Sequence, residues 1–220
     1  MHEQRTTPRF AKGPNTIFFF ATLREAARTI SMFEAVEKEG EKGRFLFPGG
    51  EIIICGMGVD SARAAVSQAA FEQSVWINLG IAGCIDVSVP VGTAIPIGRT
   101  ALLHKAGEEY TYLPEEMIVL NTALPAMVFT SPQPLYAPPQ VSCLMSLVDM
   151  EGYACAKVAY ERRVPLFMTK VVSDFCTSTS HADIIKNVDA LSYVLADEAL
   201  RFKERLNIQR QASIPRLAGS

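Results

Sequence analysis

The sequence has little with which to build a metal centre, a redox scaffold or a membrane anchor. Its three histidines, His2, His104 and His181, stand too far apart to suggest a metal site, so none is expected. The five cysteines, Cys55, Cys84, Cys143, Cys155 and Cys176, are an odd number without a C-x-x-C pair. They read as small structural thiols. No apolar run approaches the ~18 to 20 residues that cross a bilayer, and the opening MHEQRTTPRFAKGPN is too polar for a signal peptide. A cytoplasmic protein without membrane contact is expected. Neither sign of charge dominates: 21 Lys plus Arg against 23 Asp plus Glu leave a formal net charge of -2 and no electrostatic case for nucleic acid. The P-loop pattern G-x-x-x-x-G-K-[ST] and the G-x-S-x-G elbow are both missing, which argues against those nucleotide-binding and hydrolase classes.

What is present is one globular domain. The 220 residues are 49% hydrophobic and 20% charged, enough to bury a core and short for two domains. Short β-branched or aromatic runs alternate with longer amphipathic stretches, the pattern of an α/β fold. Ile17 to Phe20 reads as a buried strand and Leu23 to Glu39 as a helix stopped by Gly40. Phe45 to Phe47 and Glu51 to Cys55 flank Pro48-Gly49-Gly50 as a hairpin, followed by a helix from about Asp60 to Glu72. Val75 to Leu79 predicts a strand ending in a turn at Gly80 to Gly83. Two more strands are expected at Thr93 to Ile97 and Ala101 to His104. Between Lys105 and Gln140 the signal is weak, with one short strand near Met127 to Phe129 and a proline-rich loop after it. The chain then predicts a strand ending at Asp149, a helix from Gly152 to Arg163, a strand from Pro165 to Val172 and a closing helix from Ala182 to Leu206. The domain is placed at residues 14–206, with loosely held tails at 1–13 and 207–220.

Ligands of parallel α/β sheets collect at the carboxyl ends of strands, and acids follow three of the predicted strands. Glu25 lies just past the first, either as an active-site carboxylate or as a helix residue favoured by the macrodipole. Asp149-Met150-Glu151 stands at a strand-to-helix junction, where acids also occur for capping reasons. Ser173-Asp174 directly follows an apolar strand, with capping of the last helix as the competing explanation. Gly56-Met57-Gly58-Val59-Asp60-Ser61 is a near miss to G-x-G-x-x-G, but it follows a hairpin strand and has no acid at the distance that would hold a ribose.

The order of these motifs resembles the purine nucleoside phosphorylase superfamily, and within it the 5′-methylthioadenosine/S-adenosylhomocysteine nucleosidases. Cys55-Gly56-Met57-Gly58 resembles the early G-[IM]-G segment, and Asn78-Leu79-Gly80-Ile81-Ala82-Gly83 the N-x-G-x-A-G turn. Val148-Asp149-Met150-Glu151-Gly152 resembles the V-[ED]-M-E-[GA] ribose motif, and Val172-Ser173-Asp174 the I-S-D base motif. Glu25 falls where the family keeps its first-strand acid. The similarity runs from about Ile17 to Leu206. The chain departs from the pattern at Ile81, at Cys84, in the loop Phe129 to Pro134, and at Phe175-Cys176.

The resemblance implies a three-layer α/β/α domain with a mixed, partly closed central sheet, without a cofactor, acting on a small-molecule purine nucleoside as a homo-oligomer, a dimer or higher. It implies that Glu25 activates water and that Asp174 protonates or hydrogen-bonds the leaving purine at N7. Glu151 would accept the ribose hydroxyls while Met150 packs on the sugar. Ser173, Ala82, Gly83, Gly58 and Phe129 are the further substrate-binding positions implied. Cleaving an N-ribosidic bond places positive charge on the sugar and negative charge on the base, so a site needs a group for each. A phosphorolytic enzyme is the first rival, but Ala21-Thr22-Leu23-Arg24-Glu25 stands where such enzymes carry G-D-P-x-R. A nucleoside-binding protein without turnover is the second, and it would have no need of a water-activating base.

Overall fold

The computed structural model describes residues 15–107, 109–141, 145–177 and 180–212. In chain order these form β1 (Asn15–Phe20), α1 (Leu23–Met32), β2 (Val36–Glu37), β3 (Arg44–Phe47), β4 (Gly50–Ile54), α2 (Val59–Ser67) and β5 (Ser74–Cys84). There follow β6 (Ala94–Pro96), β7 (Arg99–Leu102), a hairpin of β8 (His104–Ala106) and β9 (Glu109–Thr111), a 3-10 turn at Pro114–Glu116 and β10 (Ile118–Val119). The last elements are β11 (Met127–Thr130), β12 (Ser146–Asp149), α3 (Gly152–Arg162), β13 (Leu166–Asp174) and α4 (Ser180–Ala212).

Among the described residues eleven strands form one mixed sheet, ordered β10-β7-β11-β12-β5-β1-β4-β3-β2, with β13 on β5 and β6 on β13. The expected α/β class and three layers are found. Side-chain alternation in β1 sets the layers, because a strand with helices on both faces is apolar at every position. Ile17 and Phe19 pack with Ala62 and Val66 of α2 and Ala154 and Val158 of α3. Phe18 and Phe20 pack on the other face with Ala26 of α1 and Leu191, Leu195 and Ala199 of α4.

The sheet divides at β5. Its first half pairs in parallel with β1, from Asn15↔Ser74 to Phe19↔Asn78. Its end pairs with antiparallel β12 through Val148↔Gly83 and Leu147↔Cys84. Along its other edge β13 runs parallel from Leu166↔Trp76 to Asp174↔Gly83, with an irregularity between Val172 and Asp174. The ends of β1, β12 and β13 therefore meet over the Gly80 to Gly83 stretch, which is strand and not the expected turn.

Other boundaries depart from expectation for identifiable reasons. Helix α1 ends at Met32 because Phe33 is taken into a cluster with Phe18 and Phe47, ring centroids 5.7 and 4.9 Å away. Each such pair is worth ~0.5 to 1.5 kcal/mol beyond area burial. Glu34 then turns left-handed at φ 51° and the Ala35 N–H donates to the Ile30 carbonyl at 2.9 Å, a Schellman closure six residues before the glycine expected to stop the helix. Val36, inside the stretch expected to be helical, is instead exposed in β2. Helix α2 stops at Ser67 because the Arg162 guanidinium donates to the Ser67 and Ala69 carbonyls. Helix α4 runs past Leu206 to Ala212, into the segment assigned to a tail, and β7 starts at Arg99 instead of Ala101. The weak stretch after Lys105 holds β8, β9 and β10 besides the expected β11. Residues 1–14 and 213–220 lie outside the described residues, as does Cys143.

Candidate active site

The strand ends that meet over β5 bring together acids far apart in sequence. Glu25 is the third residue of α1 and closes a capping box: its Oε2 accepts the N–H groups of Ala21 and Thr22, each at 3.1 Å, while Thr22 Oγ1 accepts the Glu25 N–H at 3.3 Å. The two readings of this residue are thus compatible. The box fixes the carboxylate in place, buried, beside the Ile81 backbone of β5. Burial lifts its pKa above the ordinary range, against the pull of these backbone donors and of Lys170.

Glu151 is the N-cap residue of α3, yet its side chain makes no capping bond. Its Oε1 instead accepts the Gly58 N–H at 2.7 Å, joining the ribose-like motif to the glycine turn after β4. Burial, and then the negative charge of Asp149, push its pKa up to about 7, with Lys170 and the Gly58 N–H opposing and Glu25 adding to the rise. The capping work falls to neighbours. Asp149 Oδ2 accepts the Gly152 N–H at 2.9 Å, and Thr130 Oγ1 accepts the Tyr153 N–H at 2.7 Å.

Asp174 ends β13 and does not cap α4, which begins at Ser180. Its Oδ1 is bonded to Ser173 Oγ at 2.5 Å and its Oδ2 accepts the Cys176 N–H at 2.9 Å. Cys176, at a position where the sequence departs from the family pattern, holds a left-handed φ of 54° that aims this N–H back at the carboxylate. Gly83 lies directly beneath. A Cβ there would sit 2.5 Å from Cys176 Sγ and 3.1 Å from Asp174 Oδ2, so only glycine lets the carboxylate pack this close.

Glu25, Gly58, Glu151, Ala82, Gly83, Ser173 and Asp174 thus gather around the end of β5, with Met150 half-buried at the bend between β12 and α3. Phe129 is placed differently. It is fully buried inside β11, its ring against Tyr112 at 5.1 Å. The sequence reading passed over Lys170, a fully buried cation on β13 whose Nζ lies 2.7 Å from Asp149 Oδ2. A single lysine inside the otherwise apolar run Leu166 to Val172 was the available signal. The thiols nearby are held protonated: a hydrogen bond with Cys155 and then burial raise Cys55 well above the thiol range, and burial with Asp174 and Cys84 takes Cys176 to about 12. Among the described residues no group of three or more His, Cys, Asp or Glu could hold a metal ion, and no helix is long and apolar enough to cross a membrane.

No protein-family model matches the chain, and no curated protein does either. Solved structures do. The MTAN of Chlamydia trachomatis bound to adenine superposes with a TM-score of 0.72 at 25% identity, covering 88% of this chain and 99% of that one. A 5′-methylthioadenosine/S-adenosylhomocysteine nucleosidase of Helicobacter pylori, captured with butyl-thio-DADMe-Immucillin-A, gives 0.71 at 13% identity over 90% of this chain and all of that one. A protein of Francisella philomiragia described as a nucleosidase of the same kind gives 0.72 at 15% over 87% and 99%. The chain has the fold of these nucleosidases over nearly its whole described length, which is the fold its motifs resemble.

Proposed function

We propose that this protein hydrolyses the N-ribosidic bond of a purine nucleoside, releasing the free base. The observation that carries the reading is the convergence of Glu25, Glu151 and Asp174 around one stretch of β5, on a fold shared with MTANs that have been captured with adenine and with MTA. In this reading Glu25 takes a proton from the attacking water, a task suited to a buried carboxylate whose pKa is raised by burial. Glu151 accepts the ribose hydroxyls, and the developing positive charge on the sugar is met by the surrounding carboxylates. Asp174, oriented by Ser173 and the Cys176 N–H, faces the departing base and supplies or shares a proton at N7.

Charge balance favours water over phosphate as the nucleophile. Glu25, Asp149 and Glu151 surround a single ammonium, that of Lys170, which is already paired with Asp149. Among the described residues that surround these acids, a phosphate dianion finds only this paired ammonium to replace its hydration. The test is a panel of purine nucleosides assayed for base release, with Asp174→Asn alongside the wild type. The wild type should release base from at least one nucleoside, and Asp174→Asn should lower turnover by at least ~10²-fold with the fold intact, because an amide supplies no acidic proton. A folded Asp174→Asn variant with wild-type turnover would remove that residue from the chemistry.

A further inference from the structure

We propose that Lys170 is a positioning residue of the sugar-binding half of the site: its ion pair with Asp149, laid across Gly80 of β5, ties the bend carrying Met150 and Glu151 to the strand ending in Ser173 and Asp174. The proposal rests on the nucleosidase reading for the role of Glu151, and on geometry for the tie itself. Lys170 pairs with Gly80 in the β5–β13 register, while the end of β12 pairs with β5 beside it through Val148↔Gly83. A Cβ on Gly80 would lie 3.4 Å from Lys170 Nζ, which places the ammonium against the β5 backbone on its way to Asp149. Asp149 gathers donors from three elements: Lys170 of β13 at 2.7 Å, Thr130 Oγ1 of β11 at 2.6 Å and the Gly152 N–H of α3 at 2.9 Å.

The arrangement frees Glu151. With Asp149 and Thr130 satisfying the first amides of α3, the N-cap side chain is not drawn into capping and reaches Gly58 instead. Packing alone gives no reason for a cation here, since Met168 and Val172 on the same face of β13 are apolar core. A buried ion pair is commonly no more stable than a well-packed apolar pair of the same volume, which favours a positioning role.

The groups that face Lys170 are Asp149, Glu151 and Cys155 on β12 and α3, Glu25 on α1 and Cys55 after β4. Burial works against the ammonium, but Asp149, with Glu151 and Cys155, more than compensates and raises its pKa. Glu151 feels both members of the pair with opposite sign, the Asp149 charge raising its pKa and the Lys170 charge lowering it. This opposition separates positioning charges from packing.

The test is a carbon NMR titration of the Glu151 carboxyl in the full chain, which needs no substrate. Lys170→Met should move its midpoint up by about one unit and Asp149→Asn down by about as much. Lys170→Arg and the double variant Lys170→Met/Asp149→Asn should titrate close to the wild type. Single variants that shift Glu151 in the same direction, or not at all, would overturn the proposal.

Should Lys170→Met leave Asp149 unpaired and the chain unfolded, the double variant and Lys170→Arg carry the decision through substrate binding. The double variant should raise KM for a purine ribonucleoside about tenfold, with kcat and the KM for the 2′-deoxyribonucleoside little changed, while Lys170→Arg stays within about threefold of wild type. Wild-type KM for both nucleosides in a folded double variant would also overturn it. A wild-type protein that releases no base would instead defeat the nucleosidase reading and leave the titration to decide the positioning role.

Discussion

Glu151 and Gly58, 93 residues apart in the chain, are joined by a 2.7 Å hydrogen bond from the glycine N–H to the carboxylate Oε1. The bond holds the carboxylate away from the helix it heads. Burial, and then the Asp149 charge, bring its pKa to about 7, so near neutral pH the ribose acceptor of the proposed site is only partly ionised. Affinity for a purine ribonucleoside, measured calorimetrically in Glu25→Gln, which the proposed mechanism expects to be inactive, should weaken as pH falls below about 7, by up to ~10-fold per unit. Affinity for the 2′-deoxyribonucleoside should depend much less on pH, and Glu151→Gln should remove the difference. Equal pH dependence for the two nucleosides would take Glu151 out of ribose recognition.

Stability should move in the opposite sense. Glu151 titrates at about 7 in the folded chain against an ordinary value of 4.5, so between these values the folded state keeps a proton that the unfolded state releases. The stabilisation is fully present below the unfolded value and is lost as pH rises through about 7. The loss is on the order of 3 kcal/mol, and the raised pKa of Glu25 adds to it in the same direction. Melting temperatures of the unliganded protein should therefore be several degrees lower at pH 8 than at pH 5, by ~2 to 4 °C per kcal/mol for a chain of this size. In Glu151→Gln that difference should shrink. An unchanged difference would show that Glu151 titrates normally.

Gly83→Ala should cost both stability and turnover. The new Cβ would meet Cys176 Sγ at 2.5 Å and Asp174 Oδ2 at 3.1 Å, and overpacking of this kind costs ~1 to 3 kcal/mol. Adding Cys176→Gly removes the sulfur and suits the left-handed backbone at that position, so the double variant should melt above Gly83→Ala alone. A Gly83→Ala variant with wild-type stability would mean that Asp174 is not held against β5 as described.

The parts of this molecule that the sequence makes legible are those where local chemistry and tertiary packing agree. β1 is read from its four consecutive apolar residues, and α3 from the glycine and acids at its start and the strand that follows. The strand-end acids are found because Glu25, Glu151 and Asp174 each stand at an abrupt change from apolar to polar sequence. What misleads is long-range packing. Gly80 to Gly83 looks like a turn, and it is strand because β13 pairs along it and β12 pairs at its end, while Cys176 and Asp174 occupy the space a side chain on Gly83 would take. The end of α1 is set by Phe18 and Phe47, which lie outside the helical window. β8, β9 and β10 are too short and too exposed to leave a periodic signature. Lys170 went unread because its partner, Asp149, precedes it by 21 residues and belongs to another strand.

The choice between water and phosphate bears most directly on the proposed chemistry. A carboxylate beside the attacking oxygen repels an anionic nucleophile, by ~1 to 4 kcal/mol for unit charges 4 Å apart at effective dielectrics of 80 to 20, and the same carboxylate activates a neutral one. The decisive measurement follows base release and phosphorus NMR together, with the wild type and Glu25→Gln, across a phosphate titration. Hydrolysis predicts base release independent of phosphate, a free sugar product, no new phosphorus resonance, and no release by Glu25→Gln. Base release that requires phosphate and yields a sugar 1-phosphate would contradict it.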